Sequence, residues 1–414
     1  MKTESLQIAT EDSGRQVLDL SRNTQGILSH QRFRAENPAC AGTSGVSHEN
    51  CRDGFTPAYP DTQRGHAMTH ALHPSDSATA AVLHRLQQGR WDDSDLSSAL
   101  QFRGSEQAVL FTIARQIRDQ SFPDRPAELR SVIEISNICK QRCNFCNIGA
   151  PETTKYVIQP NDLLQLVDAL YHERGRRVFL LQSGENNSQG FVNLVVASCR
   201  LIAQALPDVT LVLCIGNLTR EQFRALRDTG VARYILKIES SNPQLYHLSK
   251  PHDNWDERKR CLDDLLELDF KVGSGIIVGL PMQRHDDLVA DLTFMHRLPL
   301  SMVSATVFVP GAGTVYEREP PGDVHTTLNF MALLRIMHPA ALMPTTSSLE
   351  KLLPDGQLWG LMAGANSLTI HDGTPERLQA LFPIYDNKRF RPQDDRLLAI
   401  ASNAGLRPVN HSLI

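Results

Sequence analysis

Cys139, Cys143 and Cys146 stand in the stretch IEISNICKQRCNFCNIG, in CxxxCxxC spacing directly after an apolar, strand-like segment. Three thiolates on one loop can each take one iron of a cubane [4Fe–4S] cluster. The fourth iron then lacks a protein ligand and is open to a substrate or cofactor. Phe145, between the second and third cysteines, can shield such a cluster from water. Zinc is the competing chemistry, but zinc loops pair CxxC elements or place a fourth ligand nearby, and neither follows here. The other cysteines, at 40, 51, 199, 214 and 261, are scattered as ordinary buried thiols are.

Placing that loop is the task of the surrounding elements. From Ser131 onward, apolar strands alternate with amphipathic helices. The strands are SVIEIS, RVFLLQ, VTLVLCI, ARYILKIE, KVGSGIIVG, MVSATVFV and, less regular, ALMPTT and NSLTI. Helical stretches such as NDLLQLVDALYHERG and DERKRCLDDLLELD lie between them, and Gly175 and Gly230 sit where helices end. Eight such units predict an α/β fold, a parallel (β/α)8 TIM-type barrel, with an open doubly wound sheet as the competitor. Residues 78–130 predict a helical lead-in packed on the barrel, with Asp95 and Ser105 as helix caps. The barrel is expected over 131–400 and a C-terminal tail over 401–414. Residues 1–77 are polar, carry few apolar runs, and are expected to form a disordered or loosely ordered extension. Met68 is then a candidate start.

Bulk properties bound the function. The net charge is −4, from 42 Lys+Arg against 46 Asp+Glu, which gives no electrostatic footprint for nucleic acid or an anionic membrane. No apolar run approaches the roughly 20 residues that span a bilayer, and the amino terminus has no signal-peptide pattern. The expected compartment is the reducing cytoplasm, where a disulfide framework is not expected.

CxxxCxxC at the end of a first barrel strand resembles the signature of the radical SAM superfamily. The resemblance implies a [4Fe–4S] cluster on Cys139, Cys143 and Cys146, and S-adenosylmethionine bound through its amino and carboxylate groups to the fourth iron. Ser183-Gly184-Glu185 resembles the family's Gly-Gly-Glu-like turn for the methionine ammonium, with serine in place of the first glycine. Glu239 and Ser240, after the fourth strand, resemble a site for the cofactor's polar groups. Arg258 resembles the arginine that meets the cofactor carboxylate, with Arg260 as the alternative. Gly275, Ile277 and Gly279 resemble the GxIxG stretch along the adenine, which Val307 would also line.

IEISNIC, LLQSGEN, YILKIESSNPQLY, GSGIIVGLP, MPTTSSLE and GANSLTIHDGTP resemble the biotin-synthase-like group, which includes the [FeFe]-hydrogenase maturase HydE and methylornithine synthase PylB. Sulfur insertion as in biotin synthase needs a second, [2Fe–2S] cluster on three cysteines and an arginine. Cys214 resembles one of those ligands, but Gln182 and Gly273 stand at the other two, and PTTSSLE has no arginine. The resemblance therefore implies radical chemistry on a small, amino-acid-derived substrate (a rearrangement or lyase reaction), or metallocofactor maturation. A non-catalytic iron–sulfur carrier is the remaining alternative. Thr345, Thr346, Ser347, Asn366 and Ser367 resemble the polar patch that holds substrate, and Cys214 and His371 are the catalytic candidates. Reduced flavodoxin or ferredoxin is the implied electron donor.

Overall fold

The computed structural model describes residues 77–382 and 394–414; the extension and the candidate start at Met68 lie outside them. Helices α1 (Ser77–Gln87), α2 (Asp93–Leu100) and α3 (Gly104–Ser121) lead into strand β1 (Pro126–Ser136). There follow α4 (Pro160–Arg174), β2 (Val178–Ser183), α5 (Gln189–Ala205), β3 (Thr210–Cys214), α6 (Arg220–Arg227) and β4 (Arg233–Ile235). Next come α7 (Pro243–Ser249), α8 (Trp255–Glu267), β5 (Lys271–Val278), α9 (His285–His296), β6 (Met302–Val307) and α10 (Val324–Met337). The chain ends with β7 (Pro344–Thr345), α11 (Ser347–Leu352), α12 (Gly356–Met362), β8 (Ser367–Ile370), α13 (Glu376–Gln379), α14 (Asp394–Asn403) and β9 (Arg407–Val409).

Every barrel pairing is parallel, in the order β6-β5-β4-β3-β2-β1-β8-β7. A parallel bridge between Met302 and Leu342, with Val303 N–H donating to Leu342 O at 2.9 Å, joins β6 to the segment before β7 and closes the ring. This is the TIM-type barrel, and the open sheet is excluded. Alternation along the strands sorts the apolar residues into two layers. Ile133, Leu181, Leu213 and Val303 face outward into the main core shared with the helices. Val132, Leu180, Val212, Met302 and Leu342 face inward and fill the barrel's centre.

The floor of the barrel is sealed. Glu128, wholly buried, accepts from Arg130 at 2.9 Å and from Arg233 at 3.1 Å. Leu413 N–H donates to the same carboxylate at 3.0 Å, and Leu413 and Ile414 pack on the inner layer. Residues 401–414, expected only as a tail, thus include β9, paired with β1, and the floor. The open end is therefore the carboxyl end of the strands, where barrel enzymes carry their sites.

Two helix starts differ from expectation. Asp92, not Asp95, caps α2; Asp95 sits three residues in and closes a reciprocal capping box with it. Arg103 precedes α3 without a side-chain cap, and Ser105 lies inside the helix. Gly175 ends α4 in the left-handed region, as expected. Among the described residues no helix is long and apolar enough to cross a membrane.

Candidate active site

The cysteine loop leaves β1 and is pinned by its backbone. Ile138 N–H donates to Ser136 Oγ at 3.1 Å, and Lys140 N–H to Glu185 O at 2.8 Å. Asn144 N–H donates to Ser249 O at 2.8 Å and its side-chain amide to Leu248 O at 2.7 Å. Tyr316 N–H then donates to Asn144 O at 3.0 Å, so β1, α7 and the loop after β6 all hold the segment. Its thiols and Phe145 line one cavity of about 250 Å³ at the carboxyl end of the barrel.

Burial raises Cys139 and Cys143 above the usual thiol range and pushes Cys146 up to about 12. Metal binding would require each of these thiols to give up its proton. Among the described residues no three His, Cys, Asp or Glu side chains close around a single-ion site. A mononuclear zinc centre needs that convergence, at about 2.3 Å per sulfur. A cubane, which takes one thiolate per iron, does not. The donor set fits a cluster.

The end of β2 lies against this loop. At Gly184 a Cβ would stand 2.6 Å from Cys139 Cβ, so only glycine permits the approach. Glu185 follows, and its N–H points at Cys139 Sγ at 3.3 Å. Its carboxylate enters a buried ionic group. Arg258 on α8 donates to Glu185 and, at 2.7 Å, to Asp253. Lys250 reaches Glu185 at 3.0 Å and Asp253 at 2.7 Å. Tyr246 O–H donates to Asp253 at 2.6 Å. Burial alone would raise Glu185, but Arg258 and Lys250 outweigh it and hold the carboxyl at about 2. Arg258 is thus the arginine at the cavity, whereas Arg260 is 47% exposed and pairs with Asp264.

Gly216, after β3, makes room for Glu185. Its φ is +88°, and a Cβ there would stand 2.3 Å from Glu185 Cγ. The Gly216→Ala variant is expected to displace Glu185 and lose about 1–3 kcal/mol of stability. Urea melts check the loss, and an unchanged midpoint contradicts it.

Glu239 sits just beyond β4 with φ +59°, a strained conformation for a non-glycine residue. It is over-determined by the neighbouring strand: its N–H donates to Gly275 O at 3.1 Å, and Ile277 N–H to its carbonyl at 2.9 Å. Lys237 pairs with its carboxylate at 2.9 Å. Ser240 lies behind the cavity wall, where Asp291 accepts from Ser240 Oγ at 3.3 Å and from Ser241 N–H. Burial raises Asp291 to about 6, against 3.8 ordinarily. A raised folded value stabilises fully below about 3.8, and that contribution is lost as pH rises through about 6. Asparagine keeps the acceptor without the charge. Asp291→Asn is therefore expected to gain stability relative to wild type between about pH 4 and about pH 8. Urea midpoints at both pH values measure this; a constant difference contradicts it.

Ser183, Gly184, Glu185, Glu239, Arg258, Ile277, Val307 and Cys214 all line the cavity, and burial carries Cys214 to about 11. Gly275 instead abuts Ser304, and Gly279 abuts Gly322. Thr345, Thr346, Ser347, Asn366 and Ser367 lie outside the lining. Asn366 Oδ1 accepts from Arg335 at 3.1 Å and from Met343 N–H at 2.8 Å, bracketing β7 to β8. His371 is buried beside Glu134, Nδ1 to Oε1 3.0 Å. Lys250, Asp253, Lys237 and Thr306 carry polar groups at or next to the cavity that spacing alone did not single out; each meets its partners across strand ends.

The Radical SAM superfamily model matches residues 133–295. The [FeFe] hydrogenase maturase subunit HydE of Thermotoga maritima is 30% identical over 74% of this chain and 87% of its own length. Biotin synthase of a Cyanothece species is 24% identical over 76% of this chain and 88% of its own. The crystal structure of methylornithine synthase (PylB) superposes with a TM-score of 0.68 at 21% identity, covering 79% of this chain and 97% of that one. A complete parallel barrel, a cysteine loop at its first strand, and these relatives agree. The chain is an enzyme of the radical SAM superfamily, in the biotin-synthase-like group that includes HydE and PylB.

Proposed function

We propose that Cys139, Cys143 and Cys146 hold a [4Fe–4S] cluster by three thiolates, and that the open fourth iron takes S-adenosylmethionine. When bound, these groups supply a reductive C–S cleavage to methionine and a 5′-deoxyadenosyl radical, which abstracts hydrogen from, or adds to, a small amino-acid-derived substrate. The observation that carries the reading is one cavity lined by three thiols and by the Glu185–Arg258 pair.

Each side chain has a task there. Glu185 accepts the methionine ammonium beside the Ser183–Gly184 turn, and Arg258 meets the carboxylate. Glu239, with Ser240 fixing its turn, takes the remaining polar groups. The Gly275–Gly279 strand and Val307 flank the adenine, while Phe145, Ile277 and Phe308 exclude water. Cys214, His371 and the β7–β8 hydroxyls of Thr345, Thr346, Ser347 and Ser367, with Asn366, are the candidates for handling substrate. Reduced flavodoxin or ferredoxin is the proposed source of electrons, in a cytoplasmic setting.

A second reading, metallocofactor maturation, is favoured by the 30% identity to HydE over most of that protein. Deuterium transfer separates the two. Side-chain-deuterated amino acids are expected to deliver label into 5′-deoxyadenosine under reducing, anaerobic conditions. Cofactor cleavage with neither label transfer from, nor an adenosylated product of, any of them would contradict the amino-acid reading and favour maturation.

A further inference from the structure

The turn that follows β4 is gripped from outside the barrel by two acids of α9. Asp287 and Asp291 stand one helical turn apart, so both meet the same neighbour. Asp291 accepts from Ser240 Oγ at 3.3 Å and from Ser241 N–H. Asp287 accepts from the Asn242 side-chain amide at 2.8 Å. Ser240 Oγ in turn accepts from Asn242 N–H at 3.2 Å, which ties residues 240–242 into one unit. Asn242 Oδ1 then caps α7, accepting from Gln244 and Leu245 N–H at 3.0 and 3.3 Å. The residue just before this unit is Glu239, which lines the cavity with φ +59°.

A strained residue of this kind persists only where its surroundings over-determine it. Strand β5 fixes Glu239 on one side, through Gly275 O and Ile277 N–H. The α9 acids fix the next three residues on the other. Asp291 is out of character with its place in the helix. It is wholly buried, and its helix neighbours Leu288, Leu292 and Met295 belong to the main core. A carboxyl group there costs free energy unless it is bonded, and its Oδ2 has no hydrogen-bond partner among the described residues. Leucine would serve a role in the fold alone better. What the acid adds is an acceptor for the backbone and hydroxyl of the turn.

We propose that Asp291, supported by Asp287, is a positioning residue for Glu239, holding the turn in the conformation that presents this carboxylate to the cofactor's polar groups. Asp291 lies outside the cavity lining, so it acts through Glu239. As a statement about the cofactor, this rests on the function proposed above; as a statement about the turn, it does not.

The test uses reconstituted, reduced holoprotein and two measurements. Hydrogen exchange of the Glu239 and Ile277 amides, by peptide mass spectrometry, reports the turn with no cofactor added. The dissociation constant for S-adenosylmethionine, from the change in the cluster's electron paramagnetic resonance signal, reports the placing of Glu239. Asp291→Ala is expected to speed exchange at both amides and to weaken cofactor binding, each by about tenfold or more. Asp291→Asn keeps the acceptor and should stay within about threefold of wild type in both. Leu292→Ala, a core truncation on the same helix, should lower the urea midpoint yet leave cofactor binding unchanged. Wild-type exchange in Asp291→Ala, or equal losses of cofactor affinity in Asp291→Ala and Leu292→Ala, overturns the proposal. An Asp291→Asn variant as impaired as Asp291→Ala overturns it too. If Asp291→Ala does not fold, Asp291→Leu, which fills the space without an acceptor, replaces it under the same criteria. A wild-type protein that binds no cofactor would remove the proposed function and leave the exchange result to decide the turn.

Discussion

Replacing Cys143 by alanine is expected to cut bound iron and cofactor cleavage by more than about 100-fold while leaving the barrel folded. Removing an outer partner of a metal ligand already costs about 10–100-fold in affinity or activity, and removing a ligand costs more. The fold should survive because the loop is held by backbone groups, not by the thiol. Asn144 N–H to Ser249 O and Cys146 N–H to Cys143 O persist in an alanine variant. Iron analysis, the cluster's visible absorbance and far-UV circular dichroism report these separately. Cys199 and Cys261, buried on α5 and α8, serve as controls; alanine at either should keep the iron. Wild-type iron content in Cys143→Ala would remove the thiol from the ligand set.

The Arg258→Ala variant should show the largest loss of stability. Among the described residues, Glu185 and Asp253 would then share Lys250 as their only cation in a buried setting. Breaking a buried ion pair by removing one partner costs about 3–5 kcal/mol, because a charge is left uncompensated. Arg258 also donates its Nε to Tyr246 Oη at 2.8 Å, and that contact goes too. Arg260→Ala, on the exposed face of the same helix, is expected to stay within about 0.5 kcal/mol of wild type. Urea midpoints for the two variants decide this, and equal losses would contradict the buried network. Affinity for S-adenosylmethionine should fall in Arg258→Ala and hold in Arg260→Ala.

What could be read in the sequence, and what could not, follows from range. The cysteine loop, the Ser183-Gly184-Glu185 turn and the strand candidates are local patterns, and period-2 runs alternating with helices carry the barrel. The choice between Arg258 and Arg260 is not local. Neighbours on one helix differ only in the face they present, and Arg258 meets Glu185 from 73 residues away. Lys250 meets the same carboxylate from 65 residues away, and Lys237 meets Thr306 from 69. No spacing in the chain announces such pairs. The capping error at Asp95 has a different origin: two aspartates three apart satisfy the same pattern, and the reciprocal box decides which is outside the helix. The floor was missed because Ser412–Ile414 lack strand periodicity and are placed by Glu128 and Arg233.

The most direct measurement is the yield of 5′-deoxyadenosine from S-adenosylmethionine by anaerobically reconstituted, dithionite-reduced protein, in wild type and in Cys143→Ala. The expected result is reductant-dependent release of 5′-deoxyadenosine and methionine by wild type, and none above background in the variant. A wild-type protein that carries a reduced [4Fe–4S] cluster and binds the cofactor, yet yields neither 5′-deoxyadenosine nor a 5′-deoxyadenosyl adduct with or without added amino acids, would contradict the proposed chemistry.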